Sequence, residues 1–440
     1  MTKSTPFPSA SATDAVRFTA LVGLPNVAQG LFRPRPRVAA AINQLGVPSR
    51  AHQFLAALQR RYGDGPLWVR VAGRDTLLVF GPEPIRFVLS NAPDPFASDP
   101  EPKRSGMLKF QPHALTISRG AEWSDRRQFT DAVMAHAHST SAIRQRFSRI
   151  AAEEAPQSPA QIDWRQFNAI MRRVARRIIL GDTAIDDQLV SKQLAALMDK
   201  ANPPTKGNPK LCRMFTQRLA KYVTDGEYGS LVGLFHTAPT TAVTDPTGQI
   251  IHWMFAMGDT LAINIWRCLG LLATHPAIRQ EAHHRLDEVA DTTYLSACLY
   301  EAMRLWPTTG ILARTTTRNT DWNGVDVQAG TPVLIVNTFN HRDTARFPWA
   351  DRFQPNMWLD GSGGENWSFN FFSNGPQVCP GAQLAVQLGT ALMAAVLRDS
   401  FPIAHRAALD PSTPLPNFFN HTRLRITLKP RGHSQPLPNR

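Results

Sequence analysis

The sequence predicts one large, mainly α-helical domain with small β-sheets. Three observations carry this. Helical spacing of apolar residues dominates from Glu122 to about Pro307, short strand-like runs lie on both sides of that region, and no internal repeat divides the chain. The 440 residues suffice for one large core or two to three ordinary domains. Strand material from both ends argues for a single interwoven unit. Residues 1–30 are expected to be a flexible N-terminal tail and lead-in, and 31–440 the domain.

The elements follow in order. Residues 35–63 read as helical, with Phe54, Leu55, Leu58 and Arg61 at helical spacing. Two strands, 66–71 and 76–80, are joined by Gly73-Arg74-Asp75. Gly81-Pro82 opens a helix through Phe87 and Leu89. Residues 91–119, rich in Pro, Asp, Lys and Ser, read as a long irregular loop, a class that often carries function. Breaks in the helical region fall near 155–161, 202–209 and 236–248. Short strands and loops fill 308–375, with 332–337 the clearest strand.

The net charge of +14 favours an acidic partner. The basic residues are scattered, as in Arg60, Arg61, Arg172, Arg173, Arg176 and Arg177, and lack interleaved aromatics, so nucleic acid is not expected. Cys212, Cys268, Cys298 and Cys379 form no C-x-x-C pair, which argues against a zinc site or disulfide framework and for a reducing compartment. The N-terminus has no signal-peptide pattern, and the best apolar run, 16–32, is broken by Arg17, Pro25, Asn26 and Gln29. The expectation is a soluble, cytoplasmic monomer.

The stretch 371–387 delivers one cysteine to a helix start. Gly375-Pro376 marks a turn, Pro380 suits a first-turn position, and Leu384, Leu388 and Leu392 follow at helical spacing. Helix N–H groups favour a thiolate at Cys379, and Gly381 admits a flat partner to the backbone. These residues alone leave metal ligand, nucleophile and redox centre open. The other three cysteines read as small buried hydrophobes. Gly361-Ser-Gly-Gly364 lacks the following Lys and Ser/Thr of a phosphate cradle, and neither H-E-x-x-H nor G-x-S-x-G occurs.

Phe372, Gly375, Cys379 and Gly381 form F-x-x-G-x-x-x-C-x-G directly before the helix. This resembles the haem-binding loop of the cytochrome P-450 family. The resemblance spans roughly residues 30–430. It implies that family's fold, haem b with Cys379 as proximal iron ligand, and Phe372 and Gly381 beside it. Trp123 and Arg127, one helical turn apart, together with Arg314 and Gln377, are similar to the family's haem-propionate ligands. Gln377 departs from the usual Arg or His, which leaves more of the anchoring to Arg127 and Arg314. Glu301 and Arg304, with Arg352, resemble the family's structural ion-pair triad. Asp259-Thr260 resembles its proton-relay pair, the catalytic residues; Met257 stands where Gly is common.

The implied function is a haem-thiolate monooxygenase that inserts one oxygen atom of O2 into a small or mid-sized, largely apolar organic substrate. The implied substrate pocket contains Met107, Leu108, Phe110, Phe255, Ala256, Met257, Ile311 and Phe419. Lys109 and His421 could meet an acidic group of a substrate, but read first as exposed, solvated charges. No nicotinamide or flavin motif is present, so an acidic ferredoxin or flavodoxin is expected to supply electrons, with Arg126 a candidate docking residue. The alternatives are a peroxide-driven, coupling or rearranging haem-thiolate enzyme, or a non-catalytic haem-binding sensor.

Overall fold

The computed structural model describes residues 6–405 and 409–431. Helices stop and start where the local chemistry demands. Asp163 caps the helix Trp164–Ile179 and Gln166 reaches back to the cap, a reciprocal capping box. Proline occupies the first turn of the helices Pro209–Asp225, Pro246–Phe255 and Pro276–Val289. The span Pro246–Thr274 runs through the middle of the molecule. All positions from Leu261 to Leu272 are buried, so it is apolar on every side rather than along one stripe. Against it pack Trp164–Ile179, Thr293–Leu305 and the helix that follows the cysteine, Ala382–Asp399. No single helix among the described residues is long and apolar enough to cross a membrane.

Among the described residues, three sheets lie around this helical body. The largest has five strands in the order Leu67–Val71, Arg74–Val79, Pro332–Val336, Ile311–Thr316 and Phe96–Ala97. Arg74–Val79 pairs in parallel with Pro332–Val336, bringing Leu78 opposite Leu334. Ile311–Thr316 pairs antiparallel with Pro332–Val336, Ile311 facing Val336. Ala160–Asp163, Arg425–Pro430 and Ser400–His405 form the second sheet. Thr320–Trp322 and Val325–Val327 form a hairpin. Segments more than 200 residues apart thus share one sheet, which makes the chain interwoven.

Two expectations change. Residues 1–5 lie outside the described residues, but residues 6–28, expected as tail, are folded. Ser11 caps the helix Ala12–Phe18, and Ala10 N–H donates to the Trp68 carbonyl. The Ser/Thr/Ala/Pro composition hides a helical stripe, Ala15, Phe18 and Val22, that packs with Leu67, Val69 and Leu78. The stretch 91–119 is also more ordered than expected. It holds the strand Phe96–Ala97, the helix Lys103–Met107 and a 3-10 turn, Leu115–Ile117. Asp99, its side chain fully buried, pins the stretch by accepting from Arg104 Nη1 at 2.7 Å and Arg119 Nε at 2.8 Å.

Candidate functional site

The cysteine loop is fixed by backbone contacts. Cys379 N–H donates to the Phe372 carbonyl (2.8 Å), closing the loop on itself. Gly375 has φ +67°, and a Cβ there would stand 2.3 Å from the Leu89 carbonyl oxygen, so only glycine fits the bend. A Cβ on Gly381 would meet nothing within 4 Å. The helix begins at Ala382 with Gly381 as its cap, so Pro380 precedes the first turn. Burial pushes the Cys379 thiol up; the Gly381 N–H and Arg127 pull it the other way. An unassisted thiol of this kind is a poor nucleophile, whereas a coordinated metal ion would deprotonate it outright.

Cationic donors gather beside this loop. Arg127, on the helix Gly120–Ser139, donates from Nη1 to the Val378 carbonyl (2.8 Å) and from Nε to Asp131 (2.6 Å). Trp123, one turn earlier, makes no indole hydrogen bond among the described residues. Arg314 is buried, and its guanidinium bonds the Ala313 carbonyl and Ser373 Oγ, each at 3.0 Å, with Nε unpartnered. Burial brings its pKa down to about 10. Gln377 donates to Ser98 Oγ (3.3 Å), and its buried Oε1 has no partner among the described residues.

A further cation stands in the same region and escaped the sequence reading. Lys103 Nζ donates to the Ser98 carbonyl (2.7 Å) and to Thr116 Oγ1 (2.6 Å). Burial, then Arg314, pushes its pKa down to about 7, with Asp99 acting the opposite way. Lys103 sits in a segment that read as loop, 274 residues before Gln377 in sequence, so no spacing signal links the two. Ser98 joins them: its carbonyl accepts from Lys103 and its hydroxyl from Gln377. Lys103 and Arg314 disfavour each other's charge while the neighbouring acid, Asp99, already serves Arg104 and Arg119. Such a set is suited to an anionic ligand edge.

Where it meets the cysteine helix Ala382–Asp399, the central helix widens into a π turn, Ala256–Leu261, which carries Asp259 and Thr260. Asp259 Oδ1 accepts from Arg172 Nη2 at 2.6 Å and from Asn168 Nδ2 at 3.3 Å, both on the helix Trp164–Ile179. Asn168 Nδ2 also donates to the Gly258 carbonyl at 2.8 Å. The Thr260 hydroxyl makes no hydrogen bond among the described residues, and the residue is half-buried with Phe255 and Ala256. Met257 is buried in the main core with Met254 and Leu261.

The remaining assigned residues scatter. Phe110 is fully buried edge-on to Phe32 at 5.7 Å, Met107 is buried, and Leu108 is exposed. Ile311 packs with the N-terminal cluster, and Phe419 is buried against Trp306 (5.0 Å). Lys109 donates to the Thr205 carbonyl at 2.7 Å. His421, expected to be solvated, is buried. Arg126 is buried as well, donating to the Val243 carbonyl and Ser118 Oγ, so it presents no docking charge.

The Glu301–Arg304 pair on Thr293–Leu305 is wholly buried, with two bonds of 2.6 and 2.7 Å. Glu301 also accepts from Gln354 N–H and Trp358 Nε1, and Arg304 also donates to the His341, Ala350 and Arg352 carbonyls. Arg352 therefore enters through its backbone; its guanidinium forms no ion pair among the described residues. Every donor is satisfied, the condition under which a buried pair is tolerated.

The comparisons with known proteins agree with this architecture. Residues 243–424 match the cytochrome P450 family model. Cytochrome P450 4V2 of Homo sapiens is 29% identical over 165 residues, covering 34% of this chain and 31% of that protein. The probable cytochrome P450 28c1 of Drosophila melanogaster is 28% identical over 176 residues, covering 35% of each. The alignments thus span about a third of the curated relatives' length. Retinoic acid bound cyanobacterial CYP120A1 superposes with a TM-score of 0.66 at 17% identity, over 86% of this chain and 94% of that one. A zebra fish cytochrome P450 solved with abiraterone gives 0.68 at 19%, over 87% and 100%. That family binds haem through a cysteine thiolate, and the residues here fit it: a thiol on a closed loop, open space at Gly381, and a buried Arg314 Nε alongside with no partner among the described residues. Residues 243–424 thus match the cytochrome P450 family model, and the chain as a whole shares the fold of the two solved cytochromes P450.

Proposed function

We propose that the protein is a haem-thiolate monooxygenase acting on a small or mid-sized organic substrate. The observation that carries this is the pairing of the closed Cys379 loop with a π-turn acid and alcohol, Asp259-Thr260, on the central helix. Bound haem, ligated by Cys379, supplies the activation of O2. Arg127, Arg314, Lys103 and the Trp123 indole N–H hold its carboxylates. The Thr260 hydroxyl, without a hydrogen-bond partner among the described residues, is available to orient oxygen and water by hydrogen bonds. Asp259 holds and passes the proton that Thr260 delivers. Phe255 and Ala256, on the same turn, present an apolar wall to substrate.

Electrons come from a separate acidic ferredoxin or flavodoxin-type protein, a reading supported by the +14 charge. Arg144 is exposed beside the cysteine helix, where Gln387 donates to its carbonyl at 2.7 Å, and is the proposed docking cation. A cytoplasmic setting is supported by four free cysteines. The deciding measurement is the CO difference spectrum of the reduced protein. A thiolate-type Soret shift, lost in Cys379→Ser, is expected; its absence from the parent protein would overturn the reading.

A further inference from the structure

A cleft of about 510 Å³ opens between Asn43, the start of the helix Trp164–Ile179 and the turn at 416–425. Its walls carry three aromatic side chains, Trp164, Phe418 and Phe419, and three arginines, Arg165, Arg423 and Arg425. None of the three guanidinium groups makes an ion pair or a side-chain hydrogen bond among the described residues. The acid in the lining, Asp163, accepts from Gln166 N–H as the helix cap. Three cations against one engaged carboxylate leave the cleft positive, with flat apolar faces between the charges.

Behind the aromatics stand one buried guanidinium and one buried imidazole. Phe419 packs on Trp306 at 5.0 Å, and the Trp306 carbonyl accepts from Arg267 Nη1 at 2.5 Å. Arg267 is buried in the central helix with no carboxylate partner among the described residues, and its Nε is unpartnered. His421, whose ring lies 4.5 Å from that of Trp164, is buried with Nε2 unpartnered. Burial pushes Arg267 down to about 9, and burial followed by the Arg267 charge pushes His421 well below its usual value. A buried guanidinium without an acid is costly unless an anion compensates it.

We propose that this cleft binds an organic anion built from a flat aromatic body and one carboxylate, the body against Trp164 and Phe418 and the carboxylate between Arg423 and Arg425. Forked guanidinium donors match a carboxylate, and arginine also stacks on aromatic faces. This binding does not depend on the chemistry assigned to Cys379.

The test is isothermal titration of the haem-loaded full chain with 2-naphthoate and with its neutral counterpart 2-naphthamide. The carboxylate is expected to bind at one site, roughly tenfold tighter than the amide, and to weaken with salt. Arg423→Gln/Arg425→Gln, both exposed, should weaken naphthoate by roughly tenfold, and Trp164→Ala should weaken both probes. Arg60→Gln, an exposed change elsewhere, should leave both unaltered. Equal affinity for the two probes, or naphthoate affinity unchanged in the double arginine variant, overturns the proposal. Failure of the haem reading would appear separately, in the CO spectrum.

Discussion

Arg172 grips Asp259: Nη2 stands 2.6 Å and Nε 3.2 Å from the same carboxylate oxygen, with both side chains largely out of water. The acid that the sequence pairs with Thr260 is thereby tied to a neighbouring helix. Proton delivery requires the carboxylate to leave this pairing or to work through it.

Replacing the acid and releasing it should therefore differ. Asp259→Asn is expected to lower turnover on the order of 100-fold, the usual worth of a positioned proton donor. Arg172→Gln should keep turnover within several-fold of the parent while reducing the solvent deuterium isotope effect. An isotope effect that is the same in Arg172→Gln as in the parent would show that the grip does not govern proton delivery.

Lys103 is expected to contribute oppositely to the haem-free and the haem-bound protein. Its folded pKa, about 7, lies below the ordinary lysine value of 10.5. Between these values the unfolded chain binds more protons, so stability rises with pH across that window and the benefit is lost as pH falls toward 7. Lys103→Met should stabilise the haem-free protein at pH 7 and flatten this rise, as read by denaturant titration. The same change should speed haem loss to apomyoglobin several-fold if the cation faces a propionate. Slower haem-free unfolding with unchanged haem loss would leave Lys103 a purely structural residue.

Gln377→Arg then follows from the shared Ser98 contact. The new guanidinium adds charge beside Lys103, so haem retention should tighten in the Lys103→Met background more than in the parent. Haem transfer kinetics on the four proteins of this cycle measure the coupling. Additive effects would separate the two positions.

Glu301–Arg304 is a stability pair. Glu301→Ala strands a buried guanidinium and should cost about 3–5 kcal/mol, whereas Arg352→Ala, which keeps its carbonyl, should cost less than about 1 kcal/mol. Urea denaturation of both variants checks this; equal losses would restore a side-chain role to Arg352.

The sequence by itself determined what is local. The F-x-x-G-x-x-x-C-x-G loop, the Trp123/Arg127 turn and the Glu301/Arg304 turn are each read within a dozen residues, because bends, caps and helical periodicity fix such neighbours without help from the rest of the chain. The mainly helical class followed from the same periodicity. Tertiary structure decided the partnerships. Ser98 brings Lys103 to Gln377, Arg172 reaches Asp259 across 87 positions, and Arg352 lends a carbonyl rather than a charge. It also buried His421 and Arg126 and folded residues 6–28 onto the sheet. Burial and long-range hydrogen bonding depend on which surfaces meet, and that is set by packing of the whole core, not by the spacing of residues along the chain.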